Sequence, residues 1–374
     1  MKIRSPWWGF MILAGAIFIA VRSFDSPEAD RENTGVAPSP ARRSAPQPGA
    51  SEEPLPATRS DGTRIESDWE ELLQWLETDP KPSEEQIRKR LLATRSAWAE
   101  MDPHLLAETI GRLLETGRDT ATGMKFRVGL HGFLNGWPTL RVFLLDALVA
   151  ADPETAAAVA KRLLDGTKSP DEYAVALRSL TRDGSGSSGE LPARFQYLLE
   201  KQEWQTSGGF AETLDLARTI GTRDAAARLL RWTGNPELKS MALHEFAADH
   251  PAEMLESLRL EAAVDPLVRA NLMARLDPQN PEQLAALDEY LRDPARTAED
   301  ASVFLKSFPL RSATTGHRLY SDSPAPYQMD RIAAGDRAAL ALVDGWAADP
   351  ALEAMRADLL ALRKRLGEWV EQAK

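Results

Sequence analysis

The chain of 374 residues contains no cysteine and only five histidines, at positions 104, 131, 244, 250 and 317. Without thiols there is no disulfide framework, no thiolate-held zinc or iron–sulfur site and no cysteine nucleophile. So few imidazoles argue against a His-rich metal centre, and no metal or cofactor is expected. Basic charge is also in deficit, with 45 Lys and Arg against 56 Asp and Glu and a formal net charge of −11. Phosphate backbones are bound by a positive surface, so no nucleic-acid partner is expected.

Catalytic signatures are missing as well. No GxxxxGK[ST], HExxH, GxSxG or kinase pattern occurs, and no GxGxxG follows a strand pattern. The acid pairs Glu70/Glu71 and Glu84/Glu85 are adjacent residues expected in first helical turns. Negative charge there complements the helix dipole, and neighbouring positions face different ways. No catalytic residue is therefore assigned. A wall-cleaving enzyme of the superhelical lytic transglycosylase kind would need a separate lysozyme-like domain, and no motif for one follows residue 305.

What is present begins with an apolar run from Pro6 to Val21, preceded by Lys2 and Arg4 and closed by Arg22. As a helix its sixteen residues span roughly 24 Å, short of the ~30 Å hydrocarbon core but workable with flanking residues and local thinning. Trp7 and Trp8 suit an interfacial belt. Residues 1–22 are thus expected to be a transmembrane anchor, residues 6–21 meeting the bilayer. The alternative is a signal segment cleaved near Val21-Arg22-Ser23. The basic N-terminus favours a cytoplasmic start and an extracytoplasmic remainder, as in a single-pass protein of a bacterial-type inner membrane. A cytoplasmic adaptor is the less favoured topology.

Residues 23–65 contain seven prolines and almost no large apolar side chains. Such a segment buries too little surface to offset its ordering entropy. It is expected to be a disordered linker, spanning on the order of 35 Å as a flexible coil.

From 66 onward apolar residues recur with a period of 3.6. Ala156, Val159, Ala160, Leu163 and Leu164 form one stripe; Leu238, Met241, Ala242 and Phe246 form a second; Met254, Leu255, Leu258 and Ala262 form a third. Asp-Pro at 79, 102, 152, 265, 277, 293 and 349, Asn-Pro at 235 and 280, and His-Pro at 250 read as helix starts. The acidic or amide side chain accepts from free amides, and proline fits the first helical position. Asp249-His250 is accordingly read as a helix boundary. Caps expected at Thr222, Asn235, His250, Asp265, Asn280 and Thr297 are separated by 13, 15, 15, 15 and 17 residues. Paired helices of that length make hairpins of about 30 residues that must stack to bury their apolar faces.

Over residues 208–305, with DPLVRANLMARL at 265–276 as an example, this pattern resembles the short HEAT-like helical repeats. The resemblance implies an all-α, right-handed α-solenoid over 66–374 with a surface that binds a protein or peptide partner. The stretch DGSGSSGE at 183–190 is expected to divide it into two lobes.

Two segments stand out as sites. In FRVGLHGFLNGWP, 126–138, a helical reading places Phe126, Leu130, Phe133 and Trp137 on one stripe and the glycines 129, 132 and 136 on another. His131 and Asn135 then share a face, and with Trp137 they are groove candidates. The irregular stretch from Pro309 to Tyr327 carries Arg311, His317, Arg318, Tyr320 and Tyr327, residue types that anchor interfaces. These are the candidate contacts to a partner. The expectation is a membrane-tethered, extracytoplasmic scaffold for a cell-envelope protein or peptide. An envelope enzyme or carbohydrate-binding protein is the alternative.

Overall fold

The computed structural model describes residues 58–183, 189–310, 318–320 and 329–373. The chain divides into two units, 1–55 and 56–374. The expected anchor at 1–22, and the first unit with it, lies outside the described residues. Among the described residues no helix is long and apolar enough to cross a membrane.

Among its described residues the second unit is helical almost throughout. Its helices are α1 (Thr58–Leu76), α2 (Glu84–Trp98), α3 (Pro103–Glu115), α4 (Leu140–Ala151), α5 (Pro153–Leu164), α6 (Pro170–Asp183), α7 (Glu190–Glu200), α8 (Gly208–Thr213) and α9 (Leu216–Ile220). They continue as α10 (Arg223–Arg231), α11 (Pro236–Asp249), α12 (Pro251–Leu260), α13 (Pro266–Met273), α14 (Pro281–Arg292), α15 (Ala298–Ser307), α16 (Met329–Ala348) and α17 (Arg356–Gln372). Consecutive helices pair, as in α3 with α4, α5 with α6, α10 with α11 and α16 with α17. Helices two apart also pack together: α1 on α3, α4 on α6, α6 on α8, α9 on α11, α10 on α12, α11 on α13, α13 on α15 and α15 on α17. The described helices thus form successive hairpins in an arrangement compatible with an α-solenoid.

Local chemistry explains most of the starts. Asp102, Asp152, Asn235, Asp265 and Asn280 each accept from free amides of the following helix, with proline in its first turn. Asp349 does the same for a 3₁₀ turn, Pro350–Met355, which precedes α17. The other three Asp-Pro pairs start no helix. Asp277 and Asp293 instead accept from the amides two residues on, Gln279 at 2.9 Å and Ala295 at 2.8 Å, closing turns. Ser83 and Thr297 take over as caps with full capping boxes, and Asp79-Pro80 sits in the turn before Ser83.

One boundary and some helix faces differ from expectation. The segment assigned to the linker ends earlier, because α1 already begins at Thr58 and Ile65 is buried. Ile65 extends the stripe of Trp69, Leu72, Leu73 and Leu76 by one turn, and that burial sustains the helix. The amphipathic stripes are also rotated in places. Met241 is exposed while Leu243 and Ala247 are buried, and Ala262 lies exposed beyond the end of α12.

Two clusters of buried side chains form the interior. One centres on Trp69, Trp98, Trp137 and Phe143; the other runs through Phe195, Phe210, Phe246, Phe304, Phe308 and Trp346. The hairpin α5–α6 serves both, with Ala156, Val159, Ala174 and Val175 in the first and Ala157, Ala160, Tyr173 and Leu177 in the second. Of the expected lobe divider at 183–190, residues 184–188 lie outside the described residues.

Candidate functional site

The segment 126–138 is not a helix. Arg127–Val128 (β1) and Leu134–Gly136 (β2) pair antiparallel around a 3₁₀ turn, Leu130–Gly132. Among the described residues, strand is confined to this pair and an Ala121–Thr139 bridge. His131 and Gly132 have φ of +53° and +69°, which no α-helix accommodates. A Cβ at Gly136 would approach Lys125 O to 2.5 Å, so the hairpin needs glycine there. Glycine here marks a tight turn rather than close helix packing.

A buried carboxylate holds this hairpin in place. Asp146, from α4, accepts from Leu134 N at 3.1 Å and from Trp137 Nε1 at 2.9 Å. Its oxygens also meet Arg178 Nη1 at 2.7 Å and Arg95 Nη1 at 3.2 Å. Arg178 Nη1 donates to Gly132 O at 2.6 Å, and Arg182 donates to His131 O. Both guanidinium groups lie over the Phe133 ring, at 5.4 and 4.5 Å. The groove candidates are therefore separated. Trp137 is fully buried, edge-on to Phe143 at 5.4 Å; Asn135 is half-buried and gives its carbonyl to Arg88; His131 is exposed. A loop that is not helical does not put residues four apart on one face.

The second expected site meets the first. Leu319 is buried in the first core, and Tyr320 packs on both cores. The Tyr320 hydroxyl lies 3.2 Å from Ala174 O on α6 and 3.3 Å from Thr213 Oγ1 on α8, so its single proton is shared. Burial pushes its phenol far above the ordinary range. Arg318 pairs with Asp249 at 3.3 Å. A Cβ at Gly132 would lie 2.7 Å from Leu319 O and 3.0 Å from Arg318 O. The hairpin loop and residues 318–320 are thus in direct apposition. Arg311, His317 and Tyr327 lie outside the described residues.

Beside Arg318 runs a polar seam that the apolar periodicity does not announce. Asp215 meets Arg218 Nη1 at 2.6 Å, and Arg218 also pairs with Asp249. His250, which starts α12 without a side-chain cap, places Nε2 2.7 Å from Arg218 O. Burial, seconded by the charges of Asp215 and Asp249, pushes the Glu245 carboxyl up to about 7. Burial and the nearby Arg275 push His244 down to about 4, and burial lowers Arg275 to about 10. The one clue in the sequence is charge beside core positions, as in His244 and Glu245 before Phe246.

A cleft of about 950 Å³ opens between α12, α13 and α14. Leu255, Met273, Ala286 and Tyr290 line it, with four arginines. Arg269 donates to Leu258 O at 2.6 Å and Glu261 O at 2.8 Å, and Arg296 to Tyr290 O at 2.8 Å. Arg292 pairs with Asp288 and Asp349, and Arg259 with Glu282. These cations satisfy helix ends and carboxylates of the fold. Among the described residues no group of three or more His, Asp or Glu is arranged to hold a metal ion. In comparison with known proteins the chain matches no family model, no curated protein and no solved structure.

Proposed function

We propose that this protein is a membrane-tethered, extracytoplasmic scaffold that binds a protein or peptide of the cell envelope and performs no chemistry. Its helical unit would be a right-handed, HEAT-like α-solenoid. The run at 6–21 would anchor it in a bacterial-type inner membrane and the proline-rich segment would hold it away from the bilayer. The observation that carries the reading is the packing of helices two apart along the chain against one another. Stacks of this kind present extended surfaces built from successive repeats. The arginines of the cleft between α12, α13 and α14 support it too, since they are bonded to the fold's own carbonyls and carboxylates.

In-cell crosslinking of the full-length protein, membrane solubilisation and affinity purification test the reading. The expected result is a reproducible, near-stoichiometric envelope partner that survives shortening of residues 23–57. A tag on the C-terminus should be digested by protease added to spheroplasts. Background proteins alone, or a protected tag, would sink the scaffold or its topology respectively.

A further inference from the structure

Residues Arg318-Leu319-Tyr320 make contacts at long sequence range that local folding does not require. Tyr320 reaches a carbonyl 146 residues away and a hydroxyl 107 residues away; Arg318 reaches a carboxylate 69 residues away. Each position meets a different recognition element. The phenol fills a buried slot whose floor offers two acceptors, Ala174 O and Thr213 Oγ1. Thr213 gives its own proton to Gly209 O at 2.6 Å, which leaves its oxygen only an acceptor for the phenol. Leu319 is wholly buried. The Arg318 guanidinium, 9% exposed, lies on Asp249.

The facing wall admits close approach of the backbone of residues 318 and 319. Gly132, at φ +69°, leaves no room for a Cβ between itself and the carbonyls of residues 318 and 319. Arg178 and Arg182 hold the carbonyls of residues 132 and 131, which ties this wall to α6.

We infer that the groove between the 129–136 turn and helices α6, α8 and α11 recognises a short segment of cation, aliphatic and tyrosine, and that Arg318-Leu319-Tyr320 occupies it in competition with a partner carrying that triad. The inference rests on the scaffold reading and names the partner's chemistry. Asp249 supplies the charge complement, the first core the aliphatic seat, and the paired acceptors the selection of tyrosine over phenylalanine. A site whose buried acceptors are left unpaired discriminates strongly against an aromatic lacking the hydroxyl.

The test uses a fluorescent peptide of residues 314–323, TTGHRLYSDS, titrated by anisotropy against full-length protein in detergent. The double variant Arg318→Ala/Tyr320→Ala, checked for native helicity by circular dichroism, should bind it saturably and at least tenfold more tightly than the wild type. A peptide carrying Tyr320→Phe should lose about tenfold on that variant, and adding Asp249→Asn to the protein should weaken binding again. If the double variant does not fold, Arg318→Ala alone takes its place, with a smaller gain of about threefold over wild type expected. A folded variant that gains no affinity over wild type, or binding indifferent to Tyr320→Phe, overturns the inference. Should crosslinking capture an envelope partner while the peptide fails, the scaffold reading stands and this groove assignment falls. Peptide binding without a captured partner means the reverse: the groove assignment stands and the scaffold reading falls.

Discussion

The Arg178 guanidinium lies 2.7 Å from the Asp146 carboxylate with neither side chain exposed to solvent. This pair ties α6 to α4 and, through Leu134 N, Trp137 Nε1 and Gly132 O, fixes the hairpin turn between them. Removing one partner strands a buried charge. Asp146→Ala should cost about 3–5 kcal/mol of stability, read as a lower urea midpoint. Replacing both, as Asp146→Leu with Arg178→Met, leaves no uncompensated charge and should recover part of that loss. An Asp146→Ala variant as stable as wild type would show that the pair is not part of the fold's support.

Glu245 and His244 give opposite pH dependences. Glu245 has its carboxyl raised from 4.5 to about 7. The folded state therefore holds a proton that the unfolded chain releases, and stability falls as pH rises across that window. His244 is lowered from 6.5 to about 4, so the unfolded chain protonates first and stability falls as pH drops across that window. The two slopes largely cancel in the wild type between about 4.5 and 6.5. Glu245→Gln should expose the His244 limb, with stability rising from pH 4 to 6.5. His244→Asn should expose the other, with stability falling from pH 4.5 to 7. Each limb amounts to at most about 3 kcal/mol. Urea unfolding at four pH values separates these outcomes; parallel profiles in all three proteins would refute the assignment.

Cations close the C-terminal ends of several helices from the element that follows. Lys239 Nζ donates to Leu230 O and Trp232 O, each at 2.7 Å, at the end of α10; Arg269 does the same for α12. Each stands four residues after an N-cap, Asn235 and Asp265, so one turn of helix caps its own start and its predecessor's end. These bonds satisfy carbonyls without intrahelical partners and complement the dipole. Lys239→Met and Arg269→Met should each cost about 1–2 kcal/mol, and Arg269→Lys less, because one of two bonds is regained. Thermal melts of the three variants check the ranking.

Gly132→Ala tests the apposition of the turn and residues 318–320. Its φ of +69° strains any other residue, and the added Cβ would press on Leu319 O at 2.7 Å. The expected effect is a loss of about 1–3 kcal/mol and faster hydrogen exchange at the amides of residues 319 and 320. Unchanged exchange there would mean that the turn does not hold the segment.

Helix starts were legible in the sequence because a cap is decided within four residues: Asp102, Asp152, Asn235, Asp265 and Asn280 bond amides two or three positions ahead. The same dipeptide chemistry at Asp277 and Asp293 closes a turn instead, and only the following residues distinguish the two. The spacing of caps likewise conveyed short paired helices, since helices that short bury their faces only by stacking. The sequence by itself determined an all-helical unit of repeating hairpins and its acidic charge. Tertiary structure alone decided the rest. The 126–138 segment became a hairpin because Asp146 and Arg178, on two separate helices, supply its bonds. Tyr320 became a buried contact because α6 and α8 meet where its hydroxyl needs an acceptor. These contacts join residues 12 to 146 positions apart, and no local periodicity encodes which surfaces stacking brings together.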